Sequence, residues 1–201
     1  PAMPATPVVV VQATSVADPT KFSQAAVTLT APPDPNPNPN PNPTPSGLLS
    51  AGRFLEQATF GPSPTSLAQV QQIGINAWLD QQFALPETQI PTIAGNSMSS
   101  LRQWTLYNYS SAPDQLRQRV AYALGQIVVT SGNKLVYADE IQPWMRLLSQ
   151  HAFGNYRAFL KDITMSPSMG KFLDLANSLK PGTGGGANEN YARELLQLFS
   201  I

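Results

Sequence analysis

The chain has no cysteine and only one histidine among its 201 residues. Without thiols there is no disulfide scaffold, no thiol nucleophile and no thiolate zinc site; compartment stays open, because disulfide-free exported bacterial proteins are common. The lone imidazole, His151, cannot supply the paired histidines that a helix presents to a metal. Charge is sparse and balanced, with 12 basic and 12 acidic residues, so no long-range field draws the chain to nucleic acid or to an anionic membrane. No run approaches the roughly 18 apolar residues of a transmembrane helix. Catalytic signatures are missing too. "GTGGGANEN" (182–190) is rich in glycine but lacks both a preceding strand and the Gly-Lys-Ser/Thr ending of a phosphate loop, and neither a nucleophile elbow nor a carboxylate-rich calcium loop occurs. No metal centre and no cofactor are expected.

What is present falls into three regions. In residues 1–30 the only charges are Asp18 and Lys21, and two β-rich runs, "VVVVQAT" (Val8 to Thr14) and "QAAVTLT" (Gln24 to Thr30), flank "SVADPTKFS". Their alternation predicts a pair of half-buried antiparallel strands, too few to stand alone. Residues 31–46 hold eight prolines between Pro32 and Pro45, alternating with Asn. Each proline fixes φ and removes a donor, so the segment predicts an extended spacer of roughly 40 Å at about 3.1 Å per residue. A Pro-rich ligand for a recognition groove is the sharper reading of such a run, but flanking Arg or aromatic anchors are missing. A stalk suits a protein working outside the cytoplasm.

From residue 47 to 201 the period becomes helical. "GLLSAGRFLEQATFG" places Leu48, Phe54 and Leu55 near one stripe; "SPTSLAQVQQIG" has Ser63 as N-cap, Pro64 at the first helical position and Gly74 as the stop; "INAWLDQQFAL" spaces Ile75, Trp78, Leu79 and Phe83 helically. "SLRQWTLYNY" predicts a helix with Leu101, Trp104 and Tyr107 or Leu106 inward. The strongest pattern runs from Pro113 to Gly132, with Leu116, Val120, Ala123, Leu124 and Ile127 as its apolar stripe. "YADEIQPWMRLLSQHAFGN" predicts a helix kinked or begun near Pro143, "NYRAFLKDITMSP" one with Tyr156, Phe159, Leu160 and Ile163 inward, and "SPSMGKFLDLAN" a short one begun by Ser166 and Pro167. "SLKPGTGGGA" is a surface loop before the last helix. The expectation is a mainly α chain: a multi-helix, orthogonal or bundle-like domain of about eight helices, preceded by a β-hairpin and a Pro/Asn linker.

Polar chemistry concentrates in "NENYARELLQLFSI". With Asn188 as cap, Glu189 and Asn190 lie in the first turn, Glu189 and Arg193 become i,i+4 partners, as do Asn190 and Glu194, and Tyr191, Leu195 and Leu198 form the buried side. Capping plus a surface ion pair explains this pattern without function. The functional reading makes Glu189 or Glu194 a general acid/base or metal ligand, Arg193 an anion or carboxylate clamp, and Asn188 and Asn190 binding groups. His151 sits near a helix C-terminus that Gly154 closes, which suits a helix-end role and leaves a binding role open. Arg117, Arg119 and Arg146 are expected to be solvated or paired. Trp78, Trp104 and Trp144 are core candidates first; two of them exposed together would make a carbohydrate-stacking platform.

Two resemblances add to this. The "ATSVADPTK" stretch followed by an alternating Val/Thr strand resembles the C-terminal end of bacterial Ig-like domains. "RFLEQATFGPSPTSLAQVQQIGINAWLDQQFALP", "HAFGNYRAFLKDITMSPSMGKFLDLAN" and "NENYARELLQLFSI" resemble the N-terminal part of the bacterial family called domain of unknown function 1800, from about Leu49 to Ile201. That likeness carries no activity. It implies an exported bacterial protein, periplasmic, cell-surface or extracellular, with a shared role for Asn188, Glu189, Asn190, Arg193 and Glu194. Many members carry a Phe-Trp-His-x-His-Phe run where this chain reads "AYALGQIVV", so Leu124, Gly125 and Gln126 stand in place of two imidazoles. The expectation is a piece of a longer protein: a structural, adhesive or polymer-binding module whose partner is a polysaccharide or an envelope protein. The alternative is an envelope hydrolase completed by residues beyond Ile201.

Overall fold

The computed structural model describes residues 8–14, 18–28, 47–180 and 186–200. The chain divides into two units, Pro1–Asn42 and Pro43–Ile201. In the first, β1 (Val8–Thr14) and β2 (Phe22–Thr28) pair antiparallel, in a register from Val8 opposite Thr28 to Thr14 opposite Phe22. The ladder opens two residues before the expected Gln24, because Phe22 and Ser23 pair with Thr14 and Ala13. Asp18 shapes the turn: its Oδ1 accepts from the Thr20 amide at 3.1 Å and the Thr20 hydroxyl at 2.6 Å, and its carbonyl accepts from the Lys21 amide. The Pro/Asn segment at 31–46 and the glycines at 182–185 lie outside the described residues.

The second unit is all-α among the described residues: α1 (Leu48–Ala58), α2 (Pro64–Ile73), α3 (Ile75–Ala84), α4 (Met98–Ser111), α5 (Gln115–Ile127), α6 (Ala138–Gln150), α7 (Tyr156–Thr164), α8 (Pro167–Phe172) and α9 (Asn190–Gln197). A 3-10 turn, Ala94–Asn96, precedes α4. Local chemistry sets the boundaries. Ser63 Oγ accepts the Ser66 amide at 3.0 Å with Pro64 opening α2, and Asn155 Oδ1 accepts the Ala158 amide at 3.1 Å to open α7. Gly74, at φ 81°, ends α2 and begins α3, a backbone state that a side chain would strain.

Two helices depart from the sequence pattern. The pattern from Pro113 to Gly132 yields a helix only over Gln115–Ile127. Val128 leaves the ladder because its buried carbonyl accepts the Trp144 indole N–H at 2.8 Å, a tertiary bond that replaces a helical one. Nor does α6 begin at Pro143, which lies within it. Its start is fixed upstream: the Glu140 carboxylate accepts the Tyr137 amide at 3.2 Å, and Asn96 Oδ1 accepts the Asp139 amide at 2.7 Å from outside the helix. Asn96 takes the left-handed conformation, φ 52°, that Asn tolerates. Proline then removes one donor from a helix already nucleated.

Two apolar clusters hold the unit together. Ala51, Leu55, Val70, Trp78 and Leu116 join α1, α2, α3 and the start of α5; Val128, Leu148, Phe159, Ile163, Met169, Tyr191 and Phe199 join the end of α5 to α6 through α9. Because α5 touches α1, α3, α4 and α6, its buried positions are Leu116, Gln118 and Gly125, whereas Ala123 and Ile127 of the expected stripe are exposed. Leu106 and Tyr107 on α4 also face solvent, as does Leu198 beyond α9, while Tyr156 on α7 is 40% exposed with its hydroxyl turned to the Phe199 carbonyl.

Candidate functional site

The terminal polar residues come together on the surface. Asn188 is exposed; its Oδ1 accepts the Asn190 amide at 2.9 Å, while its own amide donates to Ser178 Oγ at 2.8 Å. Glu189 is the cap of α9, one residue later than expected, and Asn190 opens the helix. Arg193 pairs with Glu189 at 3.5 Å and donates to Asn190 Oδ1 at 2.9 Å, so Asn190 serves Arg193 and not Glu194. The Glu189 side chain is 80% exposed. Glu194 is half-buried, and its carbonyl accepts the amides of Leu198 and Phe199. Below this face α9 is pinned to α7: the Tyr191 hydroxyl meets Thr164 Oγ1 at 2.7 Å and the Tyr156 hydroxyl donates to the Phe199 carbonyl at 2.6 Å. Burial pushes both phenols above their ordinary pKa, and for Tyr191 the bond to Thr164 opposes that shift.

His151 caps the C-terminus of α6, and Gly154 closes the turn by donating to its carbonyl at 3.0 Å. Its Nε2 lies 2.7 Å from Asp162 Oδ2 on α7. This is a bridge between two helix ends, apart from the contacts of the terminal cluster. The arginines are engaged: Arg117 donates to the Ser149 carbonyl at 3.0 Å and covers the Phe153 ring, Arg119 donates to the Gln57 carbonyl and lies over Phe60 and Tyr122, and Arg146 donates to Gln142.

The concave site lies elsewhere, where α4, α5 and α6 meet the segment after α3. A cleft of about 180 Å³ opens there between Trp104 and Tyr109 of α4, Gln118, Tyr122, Gly125 and Gln126 of α5, and Trp144, Met145 and Ser149 of α6, with Thr88 and Ile90 closing one side. Every lining residue is uncharged. Trp104 and Trp144, both half-buried, share it, whereas Trp78 is 2% exposed in the core.

Several contacts stiffen this cleft. Trp144 is held at its N–H by Val128 and lies against Gly125, where an added Cβ would come within 3.2 Å of Cη2 of the ring. Tyr109 stacks on Phe60 with centroids 3.9 Å apart, and Tyr122 meets both edge-on. Burial, then the neighbouring Tyr122, push the Tyr109 phenol up, which keeps it a neutral hydroxyl. The Thr88 segment is tied down by the fully buried Asp114, which accepts the Thr88 amide at 2.9 Å, the Thr88 hydroxyl, and Gln118 Nε2 at 3.3 Å. Gln142 Nε2 donates to the Pro91 carbonyl at 3.3 Å and holds the far end of the segment. Ser149 is 7% exposed and its buried Oγ has no hydrogen-bond partner among the described residues, a cost of about 1–3 kcal/mol.

Sequence reasoning weighed Trp104 and Trp144 first as core and did not connect them to Ser149 or Tyr109. The available signal was Gly125, a glycine inside the strongest helical pattern, which marks a close approach. Of Leu124, Gly125 and Gln126, the stretch that stands in place of a His-x-His run in the resemblance, Gly125 and Gln126 line this cleft and Leu124 does not. Among the described residues no group of three or more His, Asp or Glu side chains could hold a metal ion, and no helix is long and apolar enough to cross a membrane.

An all-α unit with an uncharged, aromatic-lined cleft between three of its helices defines a helical module with a recess of about 180 Å³. A family model described as "Protein of unknown function (DUF1800)" matches residues 53–201, and the chain belongs to that family. No curated protein and no solved structure matched the chain.

Proposed function

We propose that this chain is a polysaccharide-binding module of an exported bacterial protein, working in the periplasm or at the cell surface, with the α4/α5/α6 cleft as its ligand site. The observation that carries the reading is the pairing of Trp104 and Trp144 in one recess whose polar side chains are hydroxyls and amides, set among Ile90, Ala121, Met145 and Leu148. Sugar rings offer apolar faces to indoles and hydroxyls to neutral donors and acceptors, and the cleft supplies both without a charge. The β1/β2 hairpin and the Pro/Asn spacer support the export reading. They fit the end of an Ig-like sandwich carried on a stalk. Binding, not hydrolysis, suits a recess in which no carboxylate lines the wall.

The test is affinity electrophoresis through gels cast with bacterial envelope polysaccharides, comparing the wild-type chain with Trp104→Ala. Retardation in at least one gel, lost in the variant, is the expected result. Equal mobility of both proteins in every gel would refute the proposal.

A further inference from the structure

The cleft continues past Trp144. Thr105, Tyr109, Trp144 and Met145 line it and also line a second recess of about 420 Å³, which Arg102 and Gly132 border on its far side. The two chambers differ in charge. Among the described residues the first has none; the second has Arg102 as its only charged lining residue, and no carboxylate lines either.

Arg102 is exposed, and it takes part in no hydrogen bond or ion pair among the described residues, whereas Arg117, Arg119 and Arg146 on the neighbouring helices are each engaged. Its guanidinium rests against Gly132, where an added Cβ would come within 3.2 Å of Nη2. It lies beside the glycine with its donors left over. A guanidinium presents a planar fork that matches a carboxylate in two parallel bonds.

We infer that the ligand is an acidic polysaccharide, whose sugar rings lie on Trp104 and Trp144 and whose uronate carboxylate is bound by Arg102. This rests on the polysaccharide reading of the cleft and adds the class of sugar. One cation in the site suits one carboxylate of the bound segment. The ligand's charge is then read at one end of a site that is otherwise neutral.

The experiment is titration calorimetry on the full chain with three uronate hexamers, from polygalacturonate, alginate and hyaluronan, each beside its carboxyl-reduced, neutral counterpart, and with polyglutamate. The wild type is expected to bind at least one acidic hexamer about tenfold more tightly than its reduced form, the scale of a charge-assisted bond, with the preference shrinking as salt rises. Arg102→Gln should lose that preference and keep its affinity for the reduced hexamer; Arg102→Lys should retain part of it. Equal affinity for acidic and reduced hexamers, or a preference that survives Arg102→Gln, overturns this inference and leaves the binding module standing. Binding of polyglutamate as tight as that of the uronates also overturns it, since charge alone would then be read. Absence of binding to every hexamer also overturns this inference, while the binding module itself falls only if the gels show no retardation.

Discussion

The Trp144 indole N–H donates to the Val128 carbonyl at 2.8 Å, and this bond sets both where α5 ends and how the cleft is shaped. It joins the middle of α6 to the residue at which α5 unwinds, so a helix boundary and a binding wall share one contact. Trp144→Phe should keep a ring in place, lose about 1 kcal/mol for the missing bond, and shift the urea midpoint accordingly. Trp144→Ala should cost about 3 kcal/mol through the space it leaves.

Gly125 tests how tightly that wall is packed. Alanine is the better helix former by up to about 1 kcal/mol. Its methyl, however, would come within 3.2 Å of both Leu148 Cδ1 and Trp144 Cη2, and the indole is pinned at its N–H. Overpacking of this kind costs about 1–3 kcal/mol. Gly125→Ala should therefore be net destabilising in chemical denaturation, against its propensity.

Asp114 anchors the segment that closes one side of the cleft. Asp114→Ala strands the Thr88 amide and the Gln118 amide, with an expected loss of about 3 kcal/mol for hydrogen bonds to a buried carboxylate. Hydrogen exchange should show the Thr88 amide losing protection more than the amides of α7.

The acid limb of stability should carry a signature of Glu140. A charge-assisted bond from Lys171, together with the Tyr137 amide, holds its pKa below the ordinary 4.5 against a smaller opposing effect of burial. A depressed carboxylate stabilises the fold above its unfolded pKa and gives that up as pH falls through the folded one. Glu140→Gln should thus flatten the decline in melting temperature below about pH 4.5. At the alkaline end Tyr156 and Tyr191, both raised by burial, work in the opposite sense: their contribution is whole below the unfolded phenol value and disappears as pH rises through the folded one. Tyr191→Phe should move that alkaline loss to higher pH.

Glu189 and Arg193 form an exposed pair, and Arg193→Ala should change stability by only a few tenths of a kcal/mol. Glu189→Gln and Glu194→Gln should leave polysaccharide retardation unchanged. A carboxylate variant that slows turnover of a polysaccharide would instead favour a hydrolase centred on α9.

Much of this fold was legible in sequence because its signals are local. Ser63-Pro64, Gly74 and Ser166-Pro167 punctuate helices through their own backbone chemistry, and the hairpin follows from alternation. What was not legible depends on contacts distant in sequence. The end of α5 is decided by an indole sixteen residues away, and the start of α6 by Asn96, 43 residues upstream. The cleft was hidden for a related reason: a tryptophan at helical spacing looks the same whether its partner is core or cavity. Only the crossing of α4, α5 and α6 separates Trp78 from Trp104 and Trp144.

That separation gives the most direct measurement. The three indole N–H groups yield three resolvable signals in a proton–nitrogen correlation spectrum, assignable with Trp78→Phe, Trp104→Phe and Trp144→Phe. On titration with the uronate hexamer that binds most tightly, the Trp104 and Trp144 signals should move in saturable fashion with one shared dissociation constant while Trp78 stays in place. Binding that leaves Trp104 and Trp144 unmoved, or that shifts Trp78 instead, would contradict the account.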